Sequence, residues 1–119
     1  MKKFAKSFSY AAKGIRHAIR NERNFRIESV IAILVLVAAF LLPLAPMERV
    51  AVLLTIGLVL SLELLNSAVE WLMDVLQPEY HESVKVVKDL SAAAVLVVSV
   101  FAAVVGVVIF LPHVLAIMS

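Results

Sequence analysis

Residues 50–74 read VAVLLTIGLVLSLELLNSAVEWLMD, and this stretch decides what kind of molecule the chain makes. Most of its positions carry Val, Leu, Ile, Ala or another side chain suited to lipid. Its length meets the ~20 residues that a helix needs to cross a hydrocarbon core. Glu63, Asn66, Glu70 and Asp74 break the apolar pattern. At about 100° per residue their spacing keeps all four within roughly 60° of Glu63, on one stripe of a helix. A charged side chain at the bilayer centre costs about 2.5–3.5 kcal/mol. A chain that accepts this cost repeatedly on one face is using that face for chemistry or for transport.

The rest of the chain extends the same reading. With 119 residues it is expected to form a single domain, 1–119. Its apolar fraction of 63% exceeds the roughly 45–50% of soluble domains, and the excess falls in three blocks. These predict transmembrane helices over 27–46, 50–74 and 89–111. Pro43 and Pro46 end the first, the polar loop Gln77-Pro78-Glu79-Tyr80-His81-Glu82 follows the second, and Pro112 stops the third. Ahead of them, 3–21 reads as an amphipathic helix lying on the membrane surface. Phe4, Phe8, Ala12, Ile15 and Ile19 recur at spacings of three and four, opposite Lys6, Lys13, Arg16 and Arg20. The expected fold class is therefore all-α integral membrane, a surface helix followed by three spans. The absence of Cys rules out disulfides and thiolate metal sites.

Charge sets the orientation. Eight of the eleven Lys and Arg residues precede residue 27, Lys85 and Lys88 lie beyond the second span, and only Arg49 lies between the first two. The positive-inside rule predicts a cytoplasmic N-terminus, with Asp74 at the cytoplasmic interface and Glu63 about 16 Å deeper. The basic start suits anionic headgroups rather than nucleic acid.

Two Glu, one Asn and one Asp on a stripe offer oxygen ligands for a divalent cation, and a Glu can act as a base. Glu22, Glu28 and the Lys88-Asp89 pair fall near the same interface. Carboxylates, a metal and a lysine there suit phosphoryl transfer, in which positioning and charge neutralisation do most of the catalysis. From spacing alone a proton path and structural pairing stay open. A small proton-coupled transporter is the alternative function, although Thr55 and Ser61 alone extend polarity toward Val50. Trp71 and Tyr80 read as interface anchors, and Ser91 to Ala94 as a small-residue packing patch. His17, His81 and His113 lack a ligand spacing. The motifs of soluble kinases and the Rossmann fingerprint are missing.

The motif Glu63-Leu-Leu-Asn66-Ser-Ala-Val-Glu70-Trp-Leu-Met-Asp74, then Glu79-Tyr80-His81 and Val87-Lys88-Asp89-Leu-Ser-Ala-Ala-Ala, resembles the signature of the prokaryotic diacylglycerol kinases and undecaprenol kinases. Tyr10-Ala-Ala-Lys13-Gly14 and Asn21-Glu22-Arg-Asn-Phe25-Arg26 are similar to that family's surface helix and its junction with the first span. The resemblance implies a homotrimeric kinase of the bacterial cytoplasmic (inner) membrane, with active sites composed from neighbouring chains. Such an enzyme transfers the γ-phosphoryl of ATP, with Mg2+, to the primary hydroxyl of a membrane lipid alcohol. By motif position Glu63 would be the catalytic base, Glu22 and Glu70 the metal ligands, and Asn66 would orient them. Lys88 would neutralise γ-phosphate charge. Asp74, Glu79 and His81 would lie toward the nucleoside and Tyr10 near the phosphates, with Glu28 and Asp89 supporting the network. The acceptor expected is undecaprenol or diacylglycerol. Glu22-Arg-Asn-Phe and the ending Gly106-Val-Val-Ile-Phe-Leu-Pro112 lean to the first, the loop Glu79-Tyr80-His81-Glu82 to the second.

Overall fold

A computed structural model describes residues 2–79 and 81–119; Tyr80, expected to be an interface anchor, lies outside the described residues. The described chain is all-helical: α1 spans Lys2–Asn21, α2 Arg23–Leu41, α3 Pro46–Leu76 and α4 Glu82–Met118. The last three are long and apolar enough to cross a membrane. At about 1.5 Å per residue, α3 and α4 exceed a hydrocarbon core of ~30 Å, so both carry polar turns beyond it.

Helix α3 is the centre of the fold and packs against each of the other three, whereas α2 and α4 diverge on either side of it. Its buried positions are Val52, Val59, Glu63 and Ser67. By helical period these share one face with Glu70 and Asp74. Apolar packing and the polar stripe thus lie along a single line, the first toward the start of α3 and the second toward its end. Around the start, Ala39, Leu44, Val52 and Ile109 form the core, with Ile56, Val105 and Phe110 against it. Several of the buried positions, Ala18, Ala32 and Ala39 among them, are small, which lets helix backbones approach closely where lipid supplies no hydrophobic drive. The large apolar side chains of α2 and α4, such as Leu34, Leu96 and Val108, face outward.

Helix α1 ends in a one-residue break at Glu22, whose φ of −110° and ψ of 106° are extended. The backbone stays bonded across it, Glu22 N–H to Ala18 C=O (2.8 Å) and Arg26 N–H to Glu22 C=O (3.1 Å). Arg26 donates to the carbonyls of Ile19 and Arg20, both at 3.0 Å, satisfying the last turn of α1 with a cation at its negative end.

The helix bounds differ from the expected spans in two instructive places. The first span was expected to 46, but α2 stops at Leu41, because Pro43 forces Leu42 into the extended region (ψ 152°). Arg49 then caps α2, its Nε donating to Ala39 C=O (3.0 Å) and Nη2 to Leu42 C=O (3.1 Å). Pro46 opens α3, and Glu48 accepts the Ala45 N–H at 2.8 Å. The second difference is at Pro112, expected as a stop: α4 runs through it to Met118. Proline removes one donor and bends a helix, yet flanking apolar turns that pack on a neighbour carry the helix on. Such packing is present just before it, where Ile109 lies in the core with Phe110 against it, and His113 just after it lies 3.4 Å from Glu48 on α3.

Candidate active site

Burial along α3 decreases toward its end. Glu63 is 4% exposed, Asn66 and Glu70 are half-buried, and Asp74 is exposed. Glu63 does not stand alone, for the carboxylates of Glu28, Glu70 and Glu22 all lie within electrostatic reach of it. Glu70 comes from the same helix, one turn and a further turn on. Glu28 comes from α2, and Glu22 from the break that precedes α2. Four like charges gathered at the end of a helix bundle repel one another. The arrangement suits a site that is neutralised by a cation or a proton.

The remaining polar groups line the approach. Ser91 on α4 donates its hydroxyl to Asn66 Oδ1 at 2.8 Å. Lys88, also on α4, donates to Asp74 Oδ1 at 2.6 Å, so a lysine stands at the mouth of the stripe. Asp89 is held by Lys85 in the preceding turn at 2.6 Å. Trp71 donates its indole N–H to Glu22 Oε1 at 3.3 Å.

Of the residues singled out by sequence, the fold brings Glu22, Glu28 and Glu70 within electrostatic reach of Glu63. It sets Asn66, Asp74 and Lys88 along the path leading out. Among the described residues no hydrogen bond or ion pair joins Tyr10, Glu79 or His81 to that stripe. Tyr10 is exposed on α1 with Lys13 Nζ 5.9 Å above its ring. Glu79 is exposed in the loop, and His81 accepts the Ser83 N–H at 3.1 Å as the N-cap of α4. Two contributors escaped the sequence reading. Ser91, read there as part of a packing patch, is one turn from Lys88 on the same face of α4, and that spacing was the available signal. Trp71, read as an anchor, also contacts Glu22 and the ring of His17, and no local pattern announces either contact.

Among the described residues no three His, Asp or Glu side chains stand together as a ready-made metal cage. A site with one or two carboxylates is compatible with Mg2+, which completes its octahedron with water and phosphate. Toward the start of α3, Thr55 turns its hydroxyl back onto Ala51 C=O at 2.7 Å. Between α2 and α4 an open apolar groove of about 620 Å3 runs along α3, with Glu28 at its polar end and Ala32, Val59, Gly106 and Phe110 along its walls.

Comparison with known proteins agrees with this chemistry. Residues 9–110 match the prokaryotic diacylglycerol kinase family. The undecaprenol kinase of Bacillus subtilis is 40% identical over 112 residues, covering 94% of this chain and 91% of that protein. A diacylglycerol kinase of Synechocystis is 41% identical over 113 residues, 94% of this chain and 65% of that protein. The diacylglycerol kinase of Escherichia coli K12 is 36% identical over 108 residues, 91% of this chain and 88% of that protein. These relatives are lipid kinases, which leaves the transporter reading without support. With its three membrane-length helices, the chain belongs to the prokaryotic diacylglycerol kinase family and is a membrane enzyme that transfers phosphate.

Proposed function

We propose that the protein is an ATP- and Mg2+-dependent kinase of a membrane lipid alcohol, working at the cytoplasmic face of the bacterial inner membrane. The observation that carries the reading is the convergence of Glu22, Glu28 and Glu70 on the buried Glu63, with Lys88 at the mouth of the stripe. Glu63, the deepest of these groups, takes the proton of the acceptor's primary hydroxyl. The acceptor oxygen forms its bond to the γ-phosphorus of ATP as the bond from that phosphorus to the bridging oxygen breaks, and ADP leaves. Glu22 and Glu70 hold the cation, and Asn66, fixed by Ser91, orients the groups beside it. Bound Mg2+ supplies neutralisation of phosphate charge. Lys88 adds to that neutralisation once nucleotide draws it from Asp74, and Asp74, Asp89, Glu79, His81 and Tyr10 frame the nucleotide side.

The acceptor is undecaprenol or diacylglycerol, with undecaprenol preferred. The relative of that name matches over nearly its whole length. The apolar groove between α2 and α4 begins at Glu28, next to the catalytic carboxylate, and is open along its length. It suits a long hydrocarbon tail. The active unit is a homotrimer in which neighbouring chains complete each site.

Purified protein in mixed micelles tests the proposal. Label from [γ-32P]ATP should enter undecaprenol or diacylglycerol only when Mg2+ is present. Absence of lipid-dependent transfer with both alcohols would overturn it. A higher kcat/KM with diacylglycerol than with undecaprenol would reverse the acceptor preference alone.

A further inference from the structure

The geometry points to Trp71, braced by His17, as the positioning residue that aims Glu22 into the active site. This rests on the reading of Glu22 as a magnesium ligand.

Glu22 has little else to hold it. It occupies the N-cap of α2, yet its side chain bonds none of the free N–H groups there. Its neighbours around Glu63 are carboxylates, whose charge pushes it outward. The backbone break that carries it lies between two helices, and α1 packs loosely on α3, leaving a groove of about 440 Å3 between them. Against these tendencies stands one directed contact, the Trp71 indole N–H to Glu22 Oε1 at 3.3 Å. An N–H donated to a carboxylate is charge-assisted and stronger than a neutral bond.

Trp71 is in turn fixed by α1. The His17 ring meets it edge to face, with centroids 5.1 Å apart and planes at 69°. His17 is tied to Asn21, whose side-chain nitrogen lies 3.3 Å from its Nδ1 and donates to its backbone carbonyl at 3.0 Å. The chain of contacts therefore runs Asn21, His17, Trp71, Glu22. It links the end of α1 to the acidic stripe through α3. Indole has a single donor and no acceptor, so it can hold a carboxylate without competing for the cation.

Trp71→Phe separates this role from packing, because it keeps an aromatic edge for His17 and removes the N–H. The expected result is a rise of roughly tenfold or more in the Mg2+ concentration for half-maximal transfer, the scale of one lost charged hydrogen bond. The KM for the lipid should be unchanged, and kcat should recover at saturating Mg2+. Trp71 is the only tryptophan, so its emission in the wild-type protein gives a readout independent of turnover. Emission should shift when Mg2+ and a non-hydrolysable ATP analogue are added, and Glu22→Gln should abolish the shift. A Trp71→Phe enzyme with the wild-type Mg2+ requirement would overturn the proposal, as would one whose kcat falls at every Mg2+ concentration. Silent wild-type emission would also count against it. If Glu22→Gln itself leaves the Mg2+ requirement unchanged, the failure lies in the assignment of Glu22 as a ligand.

Discussion

Each residue of the stripe has a separable contribution. Glu63→Gln keeps the volume of a buried side chain and removes the proposed base. Transfer should fall by about 10²-fold or more, while circular dichroism and detergent gel filtration stay as in the wild type. Near-normal turnover would refute the assignment. Glu70→Ala should act differently, raising the Mg2+ or ATP concentration required and leaving the folded state intact. Titration of both ligands checks this. The ordering of these residues was legible in sequence because the helical period alone projects Glu63, Asn66, Glu70 and Asp74 onto one face. The contacts of Glu22 and Trp71 were not. Forty-nine positions separate them, and their meeting depends on a backbone break and on how α1 lies against α3. His81 illustrates the opposite limit. The motif points it toward the nucleoside, and only the structure shows that its ring also accepts the Ser83 N–H as the N-cap of α4.

At the scale of elements, the turn between α2 and α3 is held by Arg49, which satisfies two carbonyls that end α2. Arg49→Ala leaves those acceptors without a partner at a half-buried site. It should destabilise the protein by about 1–3 kcal/mol with little change in activity per folded molecule. Thermal unfolding in micelles and specific activity, measured on one sample, separate the two effects. Helix α4 offers a second test. A side chain at Gly106 would meet open space along the groove between α2 and α4. Gly106→Leu should therefore raise the KM for the lipid acceptor several-fold and spare that for ATP. A lipid KM unchanged from the wild type would mean that the tail lies elsewhere. The existence and order of these helices followed from hydropathy, and their ends did not. Pro43 acts one residue upstream by restricting Leu42, while Pro112 sits where packing outweighs the lost donor. Proline marks a constraint, and the neighbours decide its consequence.

Across the whole molecule the charges are polarised. The positive-inside rule is expected to put the eight cations before residue 27 and the acidic site at one face of the membrane, so headgroups, nucleotide and site would meet in one plane. Cysteines placed singly in this Cys-free chain, at Ser7 and at Ser119, should show it. In inverted inner-membrane vesicles a membrane-impermeant maleimide should label the first and spare the second. The reverse pattern would place the site on the wrong side for ATP. Glu22 joins this large-scale picture to the chemistry, since the chain bends at the same residue that is proposed to grip the cation. If the basic helix lies among headgroups, as its residue pattern leads us to expect, whatever tips it would also turn that carboxylate. Bilayers under different curvature stress are thus expected to shift the enzyme's appetite for magnesium, making the catalyst a gauge of the very surface whose lipids it modifies.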